Sequence, residues 1–290
     1  MNANVGWGRL NYEGCRIVLT TKHRKQDAIG PAICELLSAE IVTFEFDTDT
    51  LGTFSGEIER KGTALDCSRR KCELGIEASN AKYAIASEGC FGPHPSSPLV
   101  PCDNELLYFI DRRRGFCLHE SLVSTTTNYR MKSLGSYEEL VRFGKNVKFP
   151  SHALIVRPNV SQDKSVIFKG IQSADELVRA FEESQRNSSD GDVWVETDMR
   201  AHMNPTRMSM IAELAVKLCR RLLEECPACK APGWGMVGTE RGLPCEYCNF
   251  PTDMISSEIH GCVLCDHNEI TSRSDGLTFS SAKYCARCNP

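Results

Sequence analysis

The first 225 residues alternate between short apolar runs and longer amphipathic segments. Arg16–Thr20 and Tyr83–Ala86 are apolar runs with the length of buried strands. Ser173–Ser184 is instead predicted to be a helix, because Ser173 is a capping residue and Glu176 follows three positions later. Strands that alternate with helices in this way predict an α/β fold with a mixed sheet flanked by helices.

The same pattern predicts the other elements of this region. Asn204-Pro205 opens the longest predicted helix, because asparagine is a good N-cap and proline suits the first turn. Further helices are expected around Ala64–Ala78 and Ser136–Asn146, and further strands at Ile41–Phe46, Leu106–Asp111, Phe116–Val123, Ala153–Val156, Val166–Phe168 and Val193–Glu196. We expect one α/β domain over residues 1–225 and a separate module over residues 226–290.

The segment IASEGCFGPHP, Ile85–Pro95, follows one of the predicted strands. Its two glycines and two prolines predict an abrupt exit from the strand. Glu88 is then expected at the strand end, facing a crevice where open α/β sheets bind their ligands.

Composition narrows the class of protein. Of the 290 residues, 41% are hydrophobic and 25% are charged, as in ordinary globular proteins. The start of the chain, MNANVGWGRLNYEG, lacks the pattern of a signal peptide, and no apolar run is long enough to cross a bilayer. We therefore expect a cytoplasmic protein without a membrane partner. A net charge of −4 argues against a protein built mainly to neutralise nucleic-acid phosphates.

Half of the 16 cysteines form four Cys-x-x-Cys pairs near the end of the chain. Two such pairs can place four thiolates around one Zn²⁺ ion. The spacing of all four pairs predicts two structural zinc sites and a small C-terminal module that resembles a double zinc ribbon. The predicted ligands are Cys226, Cys229, Cys245, Cys248, Cys262, Cys265, Cys285 and Cys288.

The sequence leaves the pairing of these cysteines open. Consecutive pairs fit the spacing best, but a cross-braced arrangement, in which the first pair joins the third, fits the same residues. A disulfide or redox module is the weaker alternative, because no secretion signal precedes it.

The charge of residues 226–290 bears on what the module binds. Five basic residues against seven acidic ones give −2, and two ionised Cys₄–Zn²⁺ sites bring the module to about −6. A nucleic-acid partner is therefore disfavoured, while a protein partner fits such a module.

Polar clusters between predicted elements supply a candidate ligand site in the α/β region. Lys22 and Lys25 lie in a cationic loop after the first strand, Glu57 lies in the turn-rich segment LGTFSGE, and Glu88 follows the third strand. Cations of this kind suit phosphates, and two carboxylates suit a hard divalent ion.

The order of these clusters resembles the inosine-triphosphate pyrophosphatase and Maf-like proteins. The elements that carry the resemblance are Thr21–Lys25, Gly52-Thr53-Phe54 with Glu57, and Glu88-Gly89 followed by a hairpin. The resemblance implies hydrolysis of a nucleoside triphosphate, with Mg²⁺ or Mn²⁺ held by Glu57 and Glu88 and the phosphates neutralised by Lys22 and Lys25. The helix start at Thr206 and Arg207 would then contact the phosphate or base.

The whole chain also resembles an uncharacterised bacterial family, a domain of unknown function. The shared segments are LGTFSGE, IASEGCFGPHP, ETDMRAHMNPTRM, CPxCxxPGWG and GLPCxxC. The leading hypothesis is a metal-dependent, nucleoside-triphosphate pyrophosphatase-like hydrolase with a structural zinc module. The alternative is a zinc-containing protein without catalytic activity that binds a ligand or a protein partner.

Overall fold

The computed structural model of the protein describes residues 11–44, 62–94, 97–163 and 165–290. Glu57, predicted to bind a divalent ion, lies outside the described residues. Three sheets occupy successive parts of this chain.

The first sheet has five strands in the order β2-β1-β3-β4-β5. Strand β1 is parallel to β2 and to β3, whereas β3, β4 and β5 form an antiparallel meander. The bounds are β1 Arg16–Thr20, β2 Glu40–Phe44, β3 Tyr83–His94, β4 Ser97–Asp111 and β5 Phe116–Ser124.

Three helices cover the two faces of this sheet: α1 is Gln26–Leu37, α2 is Ala64–Ser79, and α5, the last helix in the chain, is Pro205–Leu223. Successive strand residues point to opposite faces, so Ile17 and Leu19 pack with α1 and α5 while Val18 packs with α2. Strand β3 follows the same rule, since Ile85 joins the first core and Ala84 the second. The central strands are therefore apolar on both sides, as their sequence predicts.

The expected exit from β3 at Glu88 is wrong. The strand continues to His94 and pairs with β4 throughout, so that Glu88 faces Leu106 in mid-strand. Within the described residues, β3 pairs with β1 only from Tyr83 to Ile85. Beyond that point β4 is the single strand neighbour of β3 among the described residues, and a proline such as Pro93 is tolerated where a strand has an open edge.

The second sheet has the order β6-β9-β7-β8, and its strands are antiparallel. Two helices with serine caps, Ser136 and Ser173, pack against it and enclose a separate apolar core. The bounds are β6 Met131–Leu134, α3 Tyr137–Asn146, β7 Leu154–Pro158, β8 Phe168–Ile171, α4 Ala174–Arg186 and β9 Val193–Thr197. The hydrophobic pattern predicts these elements except β6, and it does not assign them to a second sheet, because it identifies strands and not their partners.

The third sheet is a three-stranded antiparallel meander that follows α5. Its strands are β10 Gly235–Arg241, β11 Ile255–Gly261 and β12 Asn268–Ser272, and β12 is exposed throughout. The predicted fold class, α/β sheets flanked by helices with zinc-ribbon-like C-terminal sites, is confirmed. A domain boundary at residue 226 stays a prediction.

Among the described helices, none is both long enough and apolar enough to span a membrane.

Candidate functional site

The eight paired cysteines form two groups of four around the ends of the third sheet. The first group is Cys226, Cys229, Cys262 and Cys265, and the second is Cys245, Cys248, Cys285 and Cys288. Within each group the sulfur atoms all lie within 4.8 Å of one another.

The distances between sulfur atoms distinguish metal ligands from disulfides. Cys226 Sγ lies 3.8 Å from Cys265 Sγ, and Cys248 Sγ lies 3.7 Å from Cys285 Sγ. A disulfide needs about 2.0 Å, whereas the edge of a tetrahedron with Zn–S bonds of about 2.3 Å measures about 3.8 Å. The donors therefore fit Zn²⁺, and the two groups can hold one ion each.

The pairing is cross-braced, not consecutive. Cys229 lies before β10 and Cys245 after it, and the seven residues of that strand span roughly 23 Å. In an antiparallel meander the chain returns to the end of the sheet where it started only after two strands. The third pair, which lies between β11 and β12, is therefore at the same end as the first pair, and the two meet. The fourth pair, after β12, meets the second at the opposite end. Spacing alone favours consecutive pairs because it does not contain the direction of the strands.

Both groups contain the same turn. Lys230 and Asn249 each follow the second cysteine of a pair, with φ of 62° and 54°. The Lys230 N–H donates to Cys226 O at 2.9 Å, and the Asn249 N–H donates to Cys245 O at 3.0 Å. The two turns thus aim both sulfurs of a pair at one point without any contribution from the sheet.

Local N–H groups favour the thiolate form of one cysteine in each group, Cys226 and Cys285. Burial raises the pKa of Cys226, but backbone N–H groups of Cys229 and Ala228 outweigh it and lower that pKa to about 6. The pKa of Cys285 is lowered to about 7, again against burial, by backbone N–H groups of Cys288 and Arg287. Other ligands shift the opposite way, since the hydrogen bond with Cys248 and burial raise the pKa of Cys288 to about 12. Metals bind the thiolate form, so ionisation of all four sulfurs in a group requires the metal itself.

The first cysteine group lies against the α/β region. Gly233 packs against Leu118 of β5 and Val263, and the side chain of Arg221 in α5 donates to the Gly233 carbonyl. Trp234 stacks on the His267 ring with centroids 5.4 Å apart. His267 thus fills space beside the cysteines and is outside the cysteine group itself.

A network of buried ionisable residues surrounds β3 in the first sheet. Lys25, between β1 and α1, donates from Nζ to the carbonyl and hydroxyl oxygens of Ser87 at 3.0 and 3.1 Å. On the same face, Arg207 Nε donates to Glu105 Oε1 at 2.5 Å, and both side chains are fully buried. Asp103, 2% exposed, lies two residues before Glu105 on β4 and so points to that face as well.

A glycine makes room for this pair. Gly89 lies directly opposite Glu105 in the β3–β4 register. A Cβ atom at this position would collide with the carboxylate of Glu105 and the guanidinium of Arg207. Gly89, which the sequence pattern places at the end of the strand, is therefore a position where two side chains approach the backbone closely.

Two carboxylate oxygens in the network have no hydrogen-bond partner among the described residues, namely Asp103 Oδ1 and Glu105 Oε2. Burial and the neighbouring Glu105 raise the pKa of Asp103 to about 8. Burial, together with the charge of Arg207, lowers the pKa of Lys25 to about 7. An acid that keeps its proton and an amine that releases one thus belong to the same buried network at neutral pH.

Glu88 lies on the opposite face of β3 from this set. Its carboxylate forms an ion pair with Lys71 of α2, and both side chains are almost completely buried. The structure therefore separates Glu88 from Arg207 by the thickness of a strand, while Lys25 interacts electrostatically with both.

The remaining predicted ligand residues have different surroundings. Lys22 is exposed in the loop after β1. At the start of α5, the ring of His152 accepts a hydrogen bond through Nε2 from the Thr206 N–H and also lies 2.9 Å from Thr206 Oγ1. The amide that was expected to bind an anion is therefore already bonded to an imidazole.

Sequence reading missed Lys71, Asp103 and Glu105. A signal for the two acids was present, since they occupy one face of a strand whose next residues, Leu106–Ile110, are apolar. Lys71 gives a weaker signal, because a lysine between apolar helix positions is common on half-buried faces.

Comparison with known proteins places the chain in a family. Residues 71–290 match the domain of unknown function DUF6671, and the chain belongs to that family. This confirms the resemblance to an uncharacterised family, whereas the resemblance to inosine-triphosphate pyrophosphatases stays a prediction. No curated protein matches the chain.

Two solved structures are distantly similar. The competence/damage inducible protein CihA from Agrobacterium tumefaciens is 17% identical, with a TM-score of 0.27 over 49% of this chain and 83% of that chain. The competence damage-inducible protein A (ComA) from Klebsiella pneumoniae subsp. pneumoniae MGH 78578 is 14% identical, with a TM-score of 0.23 over 47% of this chain and 81% of that chain. No functional argument follows at these TM-scores.

Proposed function

We propose that the protein is a hydrolase of phosphoanhydrides such as nucleoside triphosphates, with its catalytic centre at Lys25 and Asp103. The observation that carries the proposal is the pair of opposite pKa shifts inside one buried network, which lowers the pKa of Lys25 to about 7 and raises that of Asp103 to about 8. Titratable groups shifted toward the working pH are characteristic of catalytic acids and bases.

The two groups suit the two proton transfers of a hydrolysis. Neutral Lys25 takes a proton from the attacking water, and protonated Asp103 gives a proton to the departing phosphate. Ser87 holds the Lys25 amine by two hydrogen bonds. Arg207 holds the Glu105 carboxylate, which is the neighbour of Asp103. The exposed Lys22 on the same loop as Lys25 supplies a further positive charge for an anionic substrate.

The described residues do not fit the divalent ion that the pyrophosphatase resemblance implies. Glu88 is held by Lys71 on the far side of β3. Among the described residues, the groups of three or more side chains that can hold a metal are the two cysteine groups. The proposed reaction therefore contains no step at Mg²⁺ or Mn²⁺.

The two cysteine groups have a structural role in this proposal. Each fits one Zn²⁺, and the first connects α5 to the third sheet. The third sheet exposes large apolar side chains such as Val237 and Ile270, which suit recognition of a protein partner.

The test is phosphate and pyrophosphate release from a panel of normal and modified nucleoside triphosphates, with and without added Mg²⁺. Lys25→Met keeps the length of the side chain and removes the amine, and loss of a general base lowers kcat by about 10²–10⁴-fold. Lys82→Met, which replaces an exposed lysine just before β3, is the control for the loss of a lysine and should retain full activity. The pH profile of kcat/KM should rise through about 7 and fall through about 8.

Each other outcome has a definite meaning. Activity that survives Lys25→Met contradicts the assignment of the base. Activity that requires Mg²⁺ and is lost in Glu88→Gln restores the metal-dependent hypothesis. An absence of turnover across the panel contradicts the hydrolase and favours the non-catalytic binding protein.

A further inference from the structure

A pocket of about 450 Å³ lies in the second sheet, between β6 and α3. Its volume is within the range of small-molecule sites. The residues that line it belong neither to the Lys25 network nor to the cysteine groups, so its role is independent of the hydrolase proposed above.

Two periodicities bring the lining together. Arg130, which directly precedes β6, shares one face of the strand with Lys132 and Leu134. Helix α3 contributes residues three, four and seven positions apart. The α3 residues are Glu139, Arg142, Phe143 and Asn146.

The charge of the lining is predominantly positive. Arg130, Lys132 and Arg142 contribute three cations against the single carboxylate of Glu139. Glu139 Oε2 accepts a hydrogen bond from the Gly135 N–H at 3.2 Å, which occupies part of its capacity. Across the described parts of the chain, the three cationic side chains form no ion pair and no side-chain hydrogen bond.

The floor of the pocket is apolar. Leu134 is 2% exposed and Phe143 is 9% exposed, and both belong to the core of the second sheet. Met131, 41% exposed, adds a flexible apolar side chain at the rim. A ligand must therefore satisfy cations at the mouth and an apolar surface beneath them.

We propose that this pocket binds a phosphate monoester with a flat apolar body. A dianionic phosphate matches the lining charge of three cations and one carboxylate, and arginine binds phosphate with two parallel hydrogen bonds. The ring of the ligand lies on Leu134 and Phe143. Inorganic phosphate meets only the cations, and an uncharged ring meets only the floor.

The experiment is isothermal titration calorimetry of the full-length protein with phenyl phosphate, beside inorganic phosphate and phenol. Phenyl phosphate should bind at least about tenfold more tightly than inorganic phosphate, and phenol should give no saturable heat. Arg142→Gln and Lys132→Gln should each weaken phenyl phosphate binding about tenfold. Lys82→Gln, which removes a lysine outside the pocket, should change the Kd less than twofold.

Three results would overturn the proposal. The first is the absence of phenyl phosphate binding to the wild type. The second is binding that neither pocket substitution weakens. The third is equal affinity for phenyl phosphate and inorganic phosphate, which would show that the apolar floor contributes nothing. Circular dichroism of each variant verifies the fold, and exposed charges such as Arg142 and Lys132 can be replaced without opening a core.

Discussion

The cysteine groups and the Lys25 network hold charge in two different ways. Each cysteine group draws its ligands from two short turns and satisfies four sulfurs with one ion that the chain does not supply. The network draws its members from the loop before α1, from β3, β4 and α5, and it balances positive with negative side chains. The first arrangement depends on an external ion, and the second depends on the packing of the first sheet.

This difference sets where each site is vulnerable. Residues 226–290 form a small sheet whose strands are largely exposed, so the apolar core there is slight. Small modules of this kind take much of their folding free energy from the metal. The network instead lies on the face of the first sheet that packs against α1 and α5, and its residues are held by the sheet even though burying them is costly.

Metal removal should have the largest effect. Structural zinc in small modules contributes about 10–16 kcal/mol of binding free energy, so chelation should unfold residues 226–290 and leave the first two sheets folded. Hydrogen exchange resolved by peptide checks this, with Cys34→Ser, an exposed cysteine outside both groups, as control for oxidation. Metal analysis should give two zinc ions per chain. If residues 226–290 stay folded in zinc-free protein, their fold does not depend on the metal.

The two cysteine groups should also differ from each other. Cys265→Ser disturbs the group beside Leu118 and α5, whereas Cys288→Ser disturbs the group at the far end of the sheet. We expect the first variant to raise hydrogen exchange in α5 as well as in the module, and the second to leave α5 protected. Equal protection of α5 in both variants would show that the near group has no anchoring role.

Breaking the buried ion pair should have the next largest effect. Arg207→Met leaves the Glu105 carboxylate buried without its cation, which costs about 3–5 kcal/mol of unfolding free energy. The double variant with Glu105→Gln should recover a large part of that loss. Arg69→Met, which breaks an exposed pair with Glu73, should cost less than about 1 kcal/mol in the same urea titration.

Two glycines on β3 give a matched test of packing. Gly89→Ala places a methyl group against Glu105 and Arg207 and should cost about 1–3 kcal/mol. At Gly92 no heavy atom lies within 4 Å of an added Cβ, so Gly92→Ala should be neutral or slightly stabilising. Equal midpoints of thermal unfolding for the two variants would contradict the close approach at Gly89.

The change expected over a single pH unit is the smallest of these effects, because each proton changes the free energy of unfolding by at most about 1.4 kcal/mol per pH unit. The pKa of Lys25 falls from 10.5 unfolded to about 7 folded, so stability should rise with pH between 7 and 10.5. The pKa of Asp103 rises from 3.8 to about 8, so stability should fall as pH rises from 3.8 to 8.

Single substitutions separate the two contributions. Lys25→Met should remove the rise above pH 8, and Asp103→Asn should remove the fall below it. Urea titrations at several pH values measure both slopes, and unchanged slopes in the two variants would contradict the pKa shifts.

Much of the fold follows from local pattern. The strands at Arg16–Thr20 and Val193–Thr197 and the capped helices after Ser136, Ser173 and Asn204 are where their sequence predicts them. The predicted end of β3 at Glu88 is wrong because its glycine and proline residues are not signs that the strand stops. Gly89 instead admits Glu105 and Arg207, and Pro93 lies where β3 pairs with β4 alone among the described residues.

The sequence by itself determined the eight cysteines of the two candidate metal sites, because a Cys-x-x-Cys turn brings two sulfurs together within four residues. It also determined the alternation of strands and helices, because the spacing of hydrophobic residues along the chain is a local property. The tertiary structure alone decided the pairing of the cysteine groups, the face of β3 on which Glu88 lies, and the union of Lys25 with Asp103, Glu105 and Arg207. These depend on strand direction, register and helix packing, which join residues as far apart as Glu105 and Arg207, and neither residue carries a local signal of the other.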